Sequence, residues 1–330
     1  MNKTRTHEKM SIHEFLRRYS VLISAVVMLV ISTSVTKGVF LSANNILNIG
    51  ERAAAIGIVA LGQMLVILTG GLDLSVSGII AVGYCVSSLL LEHTMIPVPL
   101  VIVLMLLATT LCGALNGFFV SKTRVSPFML TLGTSMIFQS FAFVLSKGAT
   151  LIFTRQIDWM KSAWGIEGVL SRVFPTFIWL LTSLVVIFIL AYTRLGKNIF
   201  LTGGKELASK MSGVKTGNIK FFVYTASGFL SGLTALTIEF RVNMLNVSST
   251  EAFQIASIAA VVIGGTSLKG GEGNVYGTLI GAFIMASIVN VMNLTGINVY
   301  SQNIVKGVVL LTFVTISFLL SNKSKQGYID

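Results

Sequence analysis

The sequence GGKELASKMSGV, residues 203–214, is the centre of a polar island between two long apolar runs. We predict a short helix over residues 205–212. Glu206 stands in its first turn and Lys210 one turn later, so these two side chains can pair. Gly213 suits the left-handed conformation that commonly follows a helix. The island is therefore expected to be a solvated loop that holds one short helix.

One face of this predicted helix is apolar, because Leu207, Met211 and Val214 share it. The glycine pair at 203–204 leaves the helix entry unconstrained. A helix of about eight residues is too short to persist alone in water, where roughly 12–15 are needed. The apolar face therefore requires a packing partner, which is either the chain's own membrane domain or another protein.

The composition is that of an integral membrane protein. Of 330 residues, 54% are hydrophobic and 11% are charged, whereas globular domains are roughly 25% charged. Repeated apolar runs of near-spanning length predict an all-α, polytopic membrane protein. We expect one transmembrane domain over residues 19–321, with tails at 1–18 and 322–330.

About ten spans are predicted, within a range of eight to ten. The candidate runs are residues 19–35, 53–69, 76–91, 98–120, 127–145, 174–192, 221–238, 255–268, 275–292 and 304–320. The eighth run is short, and runs of about 10–14 residues are typical of re-entrant or buried segments.

The net charge of +12 is explained by its location. With ten alternating spans, sixteen of the 24 Lys and Arg residues fall on the side of the N-terminus and of residues 194–220. The positive-inside rule makes that side cytoplasmic. Both termini are then cytoplasmic, and no nucleic-acid partner is expected.

Two glycine pairs interrupt the apolar pattern. Gly70 and Gly71 precede the one acid near a break, Asp73, and the stretch 264–273 holds five glycines. Such irregular backbone must be buried in protein or line a wet cavity, and paired breaks in two halves of a transporter indicate a pathway. The candidate pathway or gating residues are Gln63, Asp73, Asn116, Gln139, Gly264, Gly265, Asn290 and Asn293.

Each of these side chains also has a structural interpretation. Asp73 caps the following helix, faces cytoplasmic water, or takes part in gating. The amides either hold helices together or line the path of a hydroxylated solute. The two longest connections on the outer side, 146–173 and 243–254, are interfacial anchors or a docking platform for a soluble protein.

The motifs together resemble the ribose-type permease subunits of bacterial ABC importers. Residues 71–76 resemble the family's Gly-Ile-Asp-Leu-Ser-Val, 127–134 its Pro-Ala-Phe-Ile-x-Thr-Leu-Gly-Thr, and 258–271 its Ile-Ala-Ala…Gly-Gly-Thr-Ser-Leu run. The resemblance makes 194–220 a segment that docks on an ATPase. Its expected coupling residues are Gly203, Gly204, Lys205, Glu206, Leu207, Ala208, Met211, Ser212 and Gly213.

The resemblance implies a permease homodimer or heterodimer in the bacterial cytoplasmic membrane. Two cytoplasmic ATPase subunits would carry ATP and Mg, an extracytoplasmic binding protein would deliver the solute, and this chain would bind no cofactor of its own. Pentoses, hexoses and the furanose autoinducer-2 all fit the family. Departures such as Ser77-Gly78, Lys269 and Glu272 leave the solute open.

Other classes remain to be compared with this expectation. An ion-driven carrier would want an intramembrane carboxylate or histidine relay, and beyond Asp73 the predicted spans offer none. A branched-chain amino-acid ABC permease is the alternative within the superfamily. The chain lacks a P-loop, a His-Glu-x-x-His motif and a nucleophile elbow, so neither a catalytic nor a metal site is expected.

Overall fold

The computed structural model describes residues 12–164, 168–242 and 244–326, and helices dominate it. The helices are α1 (Ile12–Val35), α2 (Ala43–Leu68), α3 (Val76–His93), α4 (Val98–Lys122), α5 (Pro127–Ser146), α6 (Thr154–Trp164), α7 (Val169–Tyr192), α8 (Arg194–Gly204), α9 (Glu206–Met211), α10 (Thr216–Glu239), α11 (Glu251–Ile263), α12 (Val275–Leu294) and α13 (Val299–Gln326). The predicted polytopic helical class is confirmed. Of the predicted tails, residues 1–11 and 327–330 lie outside the described residues.

Seven of the described helices are long and apolar enough to cross a membrane, namely α2, α3, α4, α5, α7, α10 and α12. Three shorter apolar stretches, Val21–Val35, Val247–Ile263 and Val299–Thr315, overlap the predicted first, eighth and tenth spans. Helix α11 has only 13 residues. The eighth predicted span is thus short, and it ends at Ile263, five residues before its predicted end.

Helix α2 is the centre of the bundle. In its most apolar window 94% of residues are buried, against 17% for α5, which therefore presents most of its surface outward. A helix that is apolar on all sides is stable only when it is surrounded, and α2 packs against α7, α10, α11 and α12. Gly57 permits one of these contacts, because a Cβ there would overlap the Trp179 indole.

The structure corrects the prediction in two places. Helix α2 begins at Ala43 rather than at residue 53. The prediction missed its first turns because they are rich in asparagine and carry Glu51 and Arg52, which lower the hydropathy. The segment 194–204 forms helix α8 instead of a loop, and the Thr193 hydroxyl caps it by accepting from the Gly196 N–H.

A further finding concerns the connections at residues 146–173 and 243–254. Strands β1 (Leu151–Ile152) and β2 (Met244–Leu245) pair antiparallel, with Leu151 opposite Leu245. These two predicted connections are therefore joined to each other. We call this end of the bundle the strand end, and the opposite end, where the glycine pairs lie, the glycine end.

Candidate functional site

Three glycine pairs meet at the glycine end. The Gly271 N–H donates to the Leu68 carbonyl at 2.9 Å, which ties the loop after α11 to the end of α2. A Cβ on Gly270 would lie 2.7 Å from the Gly70 nitrogen, and one on Gly203 would overlap the Leu68 carbonyl oxygen. Backbones approach this closely only where side chains are absent. We call Gly70, Gly203, Gly204, Gly270 and Gly271, with Leu68, the glycine junction.

The glycine junction joins features that the sequence predicted separately. The two predicted backbone breaks, at Gly70 and at 264–273, touch each other, and the glycine pair of the polar island lies between them. Gly70, Gly270 and Gly271 have positive φ values of 79°, 83° and 75°, a region that other residues adopt with strain. The polar island is therefore in direct backbone contact with both breaks.

The predicted short helix exists with different bounds. Helix α9 covers Glu206–Met211, Lys205 precedes it as its N-cap, and Gly213 has the predicted left-handed conformation with φ +83°. The expectation that the glycine pair at 203–204 forms a free entry is wrong, because both residues are the last turn of α8. Glycine is needed at position 203 because the backbones pack closely in the junction, and not because a helix begins there.

Glu206 anchors α9 to the membrane domain. Its carboxylate accepts from the ammonium of Lys210 at 3.0 Å, the predicted one-turn pair, and from that of Lys220 on α10 at 2.8 Å. Burial alone would raise the pKa of Glu206, but hydrogen bonds and charge from Lys220 and Lys210 outweigh it and lower the pKa below its ordinary value. The carboxylate is therefore ionised at neutral pH.

The apolar face of α9 is largely unpacked within the chain. Leu207 is 75% exposed and Met211 is 84% exposed, although both are apolar. Val214 does not share this exposure, because it packs on the main core. The buried Ser209 holds the opposite side of the helix by donating to the Leu201 carbonyl at 2.6 Å. The interpretation that the whole stripe rests on the chain's own membrane domain is wrong for Leu207 and Met211.

Asp73 lies at the centre of a buried polar network after the first break. One carboxylate oxygen accepts from the Ser75 N–H at 3.0 Å and the Ser75 hydroxyl at 2.5 Å. The other accepts from the Ser227 hydroxyl on α10 at 2.8 Å. Asp73 is fully buried, so the interpretation that it faces cytoplasmic water is wrong. Its bond to the Ser75 N–H orders the turn before α3, but the N-cap of that helix is Ser75 and no side chain caps it, so the capping interpretation is also wrong.

Two predicted pathway residues complete this network. The Asn116 amide donates to the Ser75 hydroxyl at 2.7 Å. With the Gln63 amide oriented so that both of its atoms are satisfied, it donates to the Asp73 carbonyl at 2.9 Å and accepts from the Asp73 N–H at 3.3 Å. Gln63, Asp73 and Asn116 are thus brought together from α2, the break and α4.

A polar pocket of about 290 Å³ lies between this break and α9. Gly71, Gly203, Glu206, Lys220 and Tyr224 are among its lining residues. The Tyr224 hydroxyl donates to the Leu72 carbonyl at 3.2 Å, so α10 contacts the break directly. Lys220, Tyr224 and Ser227 are spaced along one face of α10, and that face links Glu206 with Asp73.

The second break is held by close backbone packing between α11 and α12. A Cβ on Gly264 would lie 2.5 Å from the Gly277 carbonyl carbon, and one on Gly281 would overlap the Ala260 carbonyl oxygen. Gly277 and Gly281 are four residues apart, which is the small-xxx-small pattern of close membrane helix pairs. Gly265, with φ +83°, then turns the chain into the junction loop.

The remaining predicted pathway residues lie elsewhere. Asn290 on α12 exchanges two hydrogen bonds with Asn45 on α2, at 2.8 and 3.1 Å, and both residues are buried. The exposed Asn293 accepts from Gln302 at 2.9 Å. Gln139 on α5 contacts the connection between α10 and α11 by donating to the Val247 carbonyl at 3.2 Å. These three amides are not part of the Asp73 network.

Two buried acids were missed by the sequence prediction. Glu239, the last residue of α10, is fully buried and accepts from the Ser87 hydroxyl at 3.0 Å. Glu51 on α2 is also buried and accepts from Arg172 and Arg241, each at 2.9 Å. The expectation that the spans hold no acid beyond Asp73 is therefore wrong. A lower hydropathy threshold would have extended the predicted spans at their ends and included both acids.

Comparison with known proteins gives a family. Residues 45–314 match the family described as branched-chain amino acid transport system / permease component. The ribose import permease protein of Haemophilus influenzae is 36% identical, covering 91% of this chain and 93% of that protein. Its Bacillus subtilis counterpart is 33% identical, with 87% and 88% covered. The xylose transport system permease protein of Escherichia coli is 28% identical, with 89% and 90% covered. No solved structure matches.

Proposed function

The chain belongs to the family of ABC importer permeases, in its ribose-type branch, and from that premise we propose how it couples ATP hydrolysis to the passage of a sugar. It is the membrane permease subunit of a sugar importer and a multi-pass protein of the bacterial cytoplasmic membrane. The permease operates with an ATPase and a binding protein, as the family implies.

In this proposal the glycine end faces the cytoplasm. Ten helices then cross or enter the membrane in alternation, and both tails are cytoplasmic. The charge distribution supports this orientation, because sixteen of the 24 Lys and Arg residues lie on the cytoplasmic side. Two permease chains, either identical or related, sit on two ATPase subunits. ATP and Mg bind to the ATPase subunits, and this chain binds neither.

The observation that carries the proposal is the exposure of Leu207 and Met211 on a helix whose base is fixed in the glycine junction. An exposed apolar face on an element this short needs a partner surface. The ATPase groove supplies it. The coupling residues are those predicted from the sequence. Leu207 and Met211 contact the ATPase groove, and Glu206 fixes α9 to α10 through its ion pair with Lys220.

Motion of α9 reaches the membrane domain by two routes in this proposal. One is the glycine junction, where Gly203 touches both backbone breaks. The other is α10, whose Lys220 holds Glu206 while Ser227 holds Asp73. The ATPase dimer must bind the two permease states with different affinity, since only differential binding shifts the population. The Asp73 network is the gating element that the shift rearranges.

Docking of α9 is tested with matched charge insertions. We expect Leu207→Asp and Met211→Asp to abolish stoichiometric co-purification of the ATPase in mild detergent, and to abolish uptake, without lowering the unfolding temperature of the permease. Met95→Asp is the control, because Met95 is 93% exposed at the strand end. Wild-type uptake by both α9 variants would refute the docking assignment. A chain that purifies alone and carries out ion-driven uptake in liposomes would refute the importer mechanism.

For the solute we propose a monosaccharide, with ribose as the first to test. The ribose import permeases are 33–36% identical to this chain, whereas the allose and xylose permeases are 28% identical. Uptake of labelled ribose by cells that express the complete system is expected to be inhibited more strongly by unlabelled ribose than by xylose or allose. Preferential inhibition by leucine would instead support the branched-chain amino-acid alternative.

A further inference from the structure

A second pocket, of about 350 Å³, opens at the strand end and is lined by α2, α10, α11, α12 and α13. Three cationic side chains line it: Arg52 of α2, Arg241 just after α10, and Lys306 of α13. No Asp or Glu is among the described residues that line this pocket. The pocket lies at the opposite end of the bundle from α9, so it is separate from the coupling site.

Lys306 is a buried cation of this pocket that lacks an acidic partner among the described residues. The residue is 5% exposed, and its ammonium donates to the neutral Asn303 amide at 3.2 Å. Among the described residues it forms no salt bridge. Arg52 is close enough to repel both Lys306 and Arg241. Lys306 is thus a buried ammonium beside another cation, an arrangement that is costly unless an anion is bound.

Glu51 does not supply that anion. One of its carboxylate oxygens accepts from Arg172 and the other from Arg241, each at 2.9 Å. It also attracts Arg52, but its single negative charge is then shared among three guanidinium groups. Glu51, Arg52, Arg172, Arg241 and Lys306 together therefore keep an excess of positive charge.

The rest of the pocket indicates what kind of anion fits. Most of its remaining lining is apolar, including Ile56 of α2, Ile238 of α10, Phe253 of α11 and Val289 of α12. Cations beside an apolar wall suit a ligand with a negative group and a hydrocarbon part. A free inorganic anion would use only the cations and leave the apolar wall uncovered.

We propose that this pocket binds the phosphate of an anionic phospholipid, with Arg52, Arg241 and Lys306 as its ligands and the acyl chain along the apolar wall. Guanidinium groups bind phosphate oxygens through paired N–H donors, and an ammonium adds a point charge. Each basic residue contributes about 1 kcal/mol of attraction to anionic lipid, a factor of about five in affinity. The lipid thus neutralises Lys306 and joins α2 to α13.

The test is native mass spectrometry and thermal unfolding of the purified full chain in detergent, with added phosphatidylglycerol or phosphatidylcholine. We expect phosphatidylglycerol to be retained and to raise the unfolding temperature, and phosphatidylcholine to do neither. Lys306→Gln is expected to weaken phosphatidylglycerol binding about fivefold. It should also unfold at a higher temperature than the wild type without lipid, because it removes an uncompensated buried charge.

Arg124→Gln is the control, since Arg124 is exposed in a loop outside the pocket. It should bind phosphatidylglycerol like the wild type, whereas an equal loss of binding in Arg124→Gln would overturn the proposal. Equal stabilisation by phosphatidylcholine would overturn it as well. Equal stabilisation by inorganic phosphate would overturn the lipid assignment and identify free phosphate as the ligand of the same cations. None of these measurements requires the ATPase, so their failure is distinguishable from failure of the coupling proposal.

Discussion

The Gly271 N–H donates a 2.9 Å hydrogen bond to the carbonyl of Leu68, although the two residues belong to opposite halves of the chain. Gly203 packs against both atoms of this bond. A displacement of α8 and α9 that moves Gly203 is therefore expected to disturb this bond. This one contact connects the proposed ATPase-docking helix with both interruptions of the membrane helices.

The glycine junction predicts unequal effects at adjacent glycines. A Cβ on Gly203 would overlap the Leu68 carbonyl and lie 2.6 Å from the Gly271 nitrogen, whereas a Cβ on Gly204 meets nothing within 4 Å. We expect Gly203→Ala to lower the free energy of unfolding by about 1–3 kcal/mol, as overpacking does. Thermal unfolding of the two purified variants measures this difference. Equal stability of Gly203→Ala and Gly204→Ala would contradict the packing described here.

The Asn45–Asn290 pair predicts a structural role for Asn290. Asn290→Ala removes both hydrogen bonds between Asn290 and the buried Asn45, whose amide nitrogen keeps only its bond to the Phe40 carbonyl. We therefore expect a loss of about 1 kcal/mol in stability with the solute preference unchanged. Asn293→Ala, which removes an exposed amide, should have a smaller effect. The stability of the double variant Asn45→Ala/Asn290→Ala gives the coupling energy. Altered solute selectivity in Asn290→Ala at wild-type stability would instead assign this residue to the pathway.

Glu206 predicts a pH dependence confined to α9. Because its pKa is lowered in the folded state, the ion pairs stabilise α9 above the ordinary value of 4.5, and this contribution is lost as the pH falls through the lowered pKa. A nitroxide at Ala208→Cys, with Cys85 and Cys112 replaced by alanine, reports the mobility of α9. Mobility should stay constant from neutral pH down to about that value and rise below it.

The matched variant for this measurement is Glu206→Gln. We expect its label to be mobile at every pH, because the amide cannot form the ion pairs with Lys210 and Lys220. A wild-type label that becomes mobile well above the ordinary glutamate pKa would show that the pKa of Glu206 is raised, which would contradict the ion-pair geometry.

The sequence predicted what depends on local pattern. Composition and apolar runs gave the membrane class and most helices, and the charge and glycine spacing around Glu206 and Gly213 placed α9 within one residue at each end. Helix α8 was missed because its amphipathic sequence, with Gly196 and Lys197 near its start, lacks a long apolar run. Its packing, rather than its hydropathy, makes it a helix.

The tertiary partners could not be predicted in the same way. Asn45 and Asn290 are 245 residues apart, and nothing in either local sequence indicates the other. Asp73 could be recognised as unusual from its place after a glycine break, but its bond to Ser227 on α10 depends on how the helices pack. Glu239 was missed because the apolar run ends one residue before it, while tertiary packing buries the last turn of α10.

The strand pair constrains how the strand end of the bundle can open. Leu151 and Leu245 bond the α5–α7 connection to the α10–α11 connection. The strand-end tips of these two helix pairs are therefore linked, and we expect them to move together as long as the backbone hydrogen bonds between the strands persist. An opening that separates α5 from α10 at this end would first have to break the hydrogen bonds between β1 and β2.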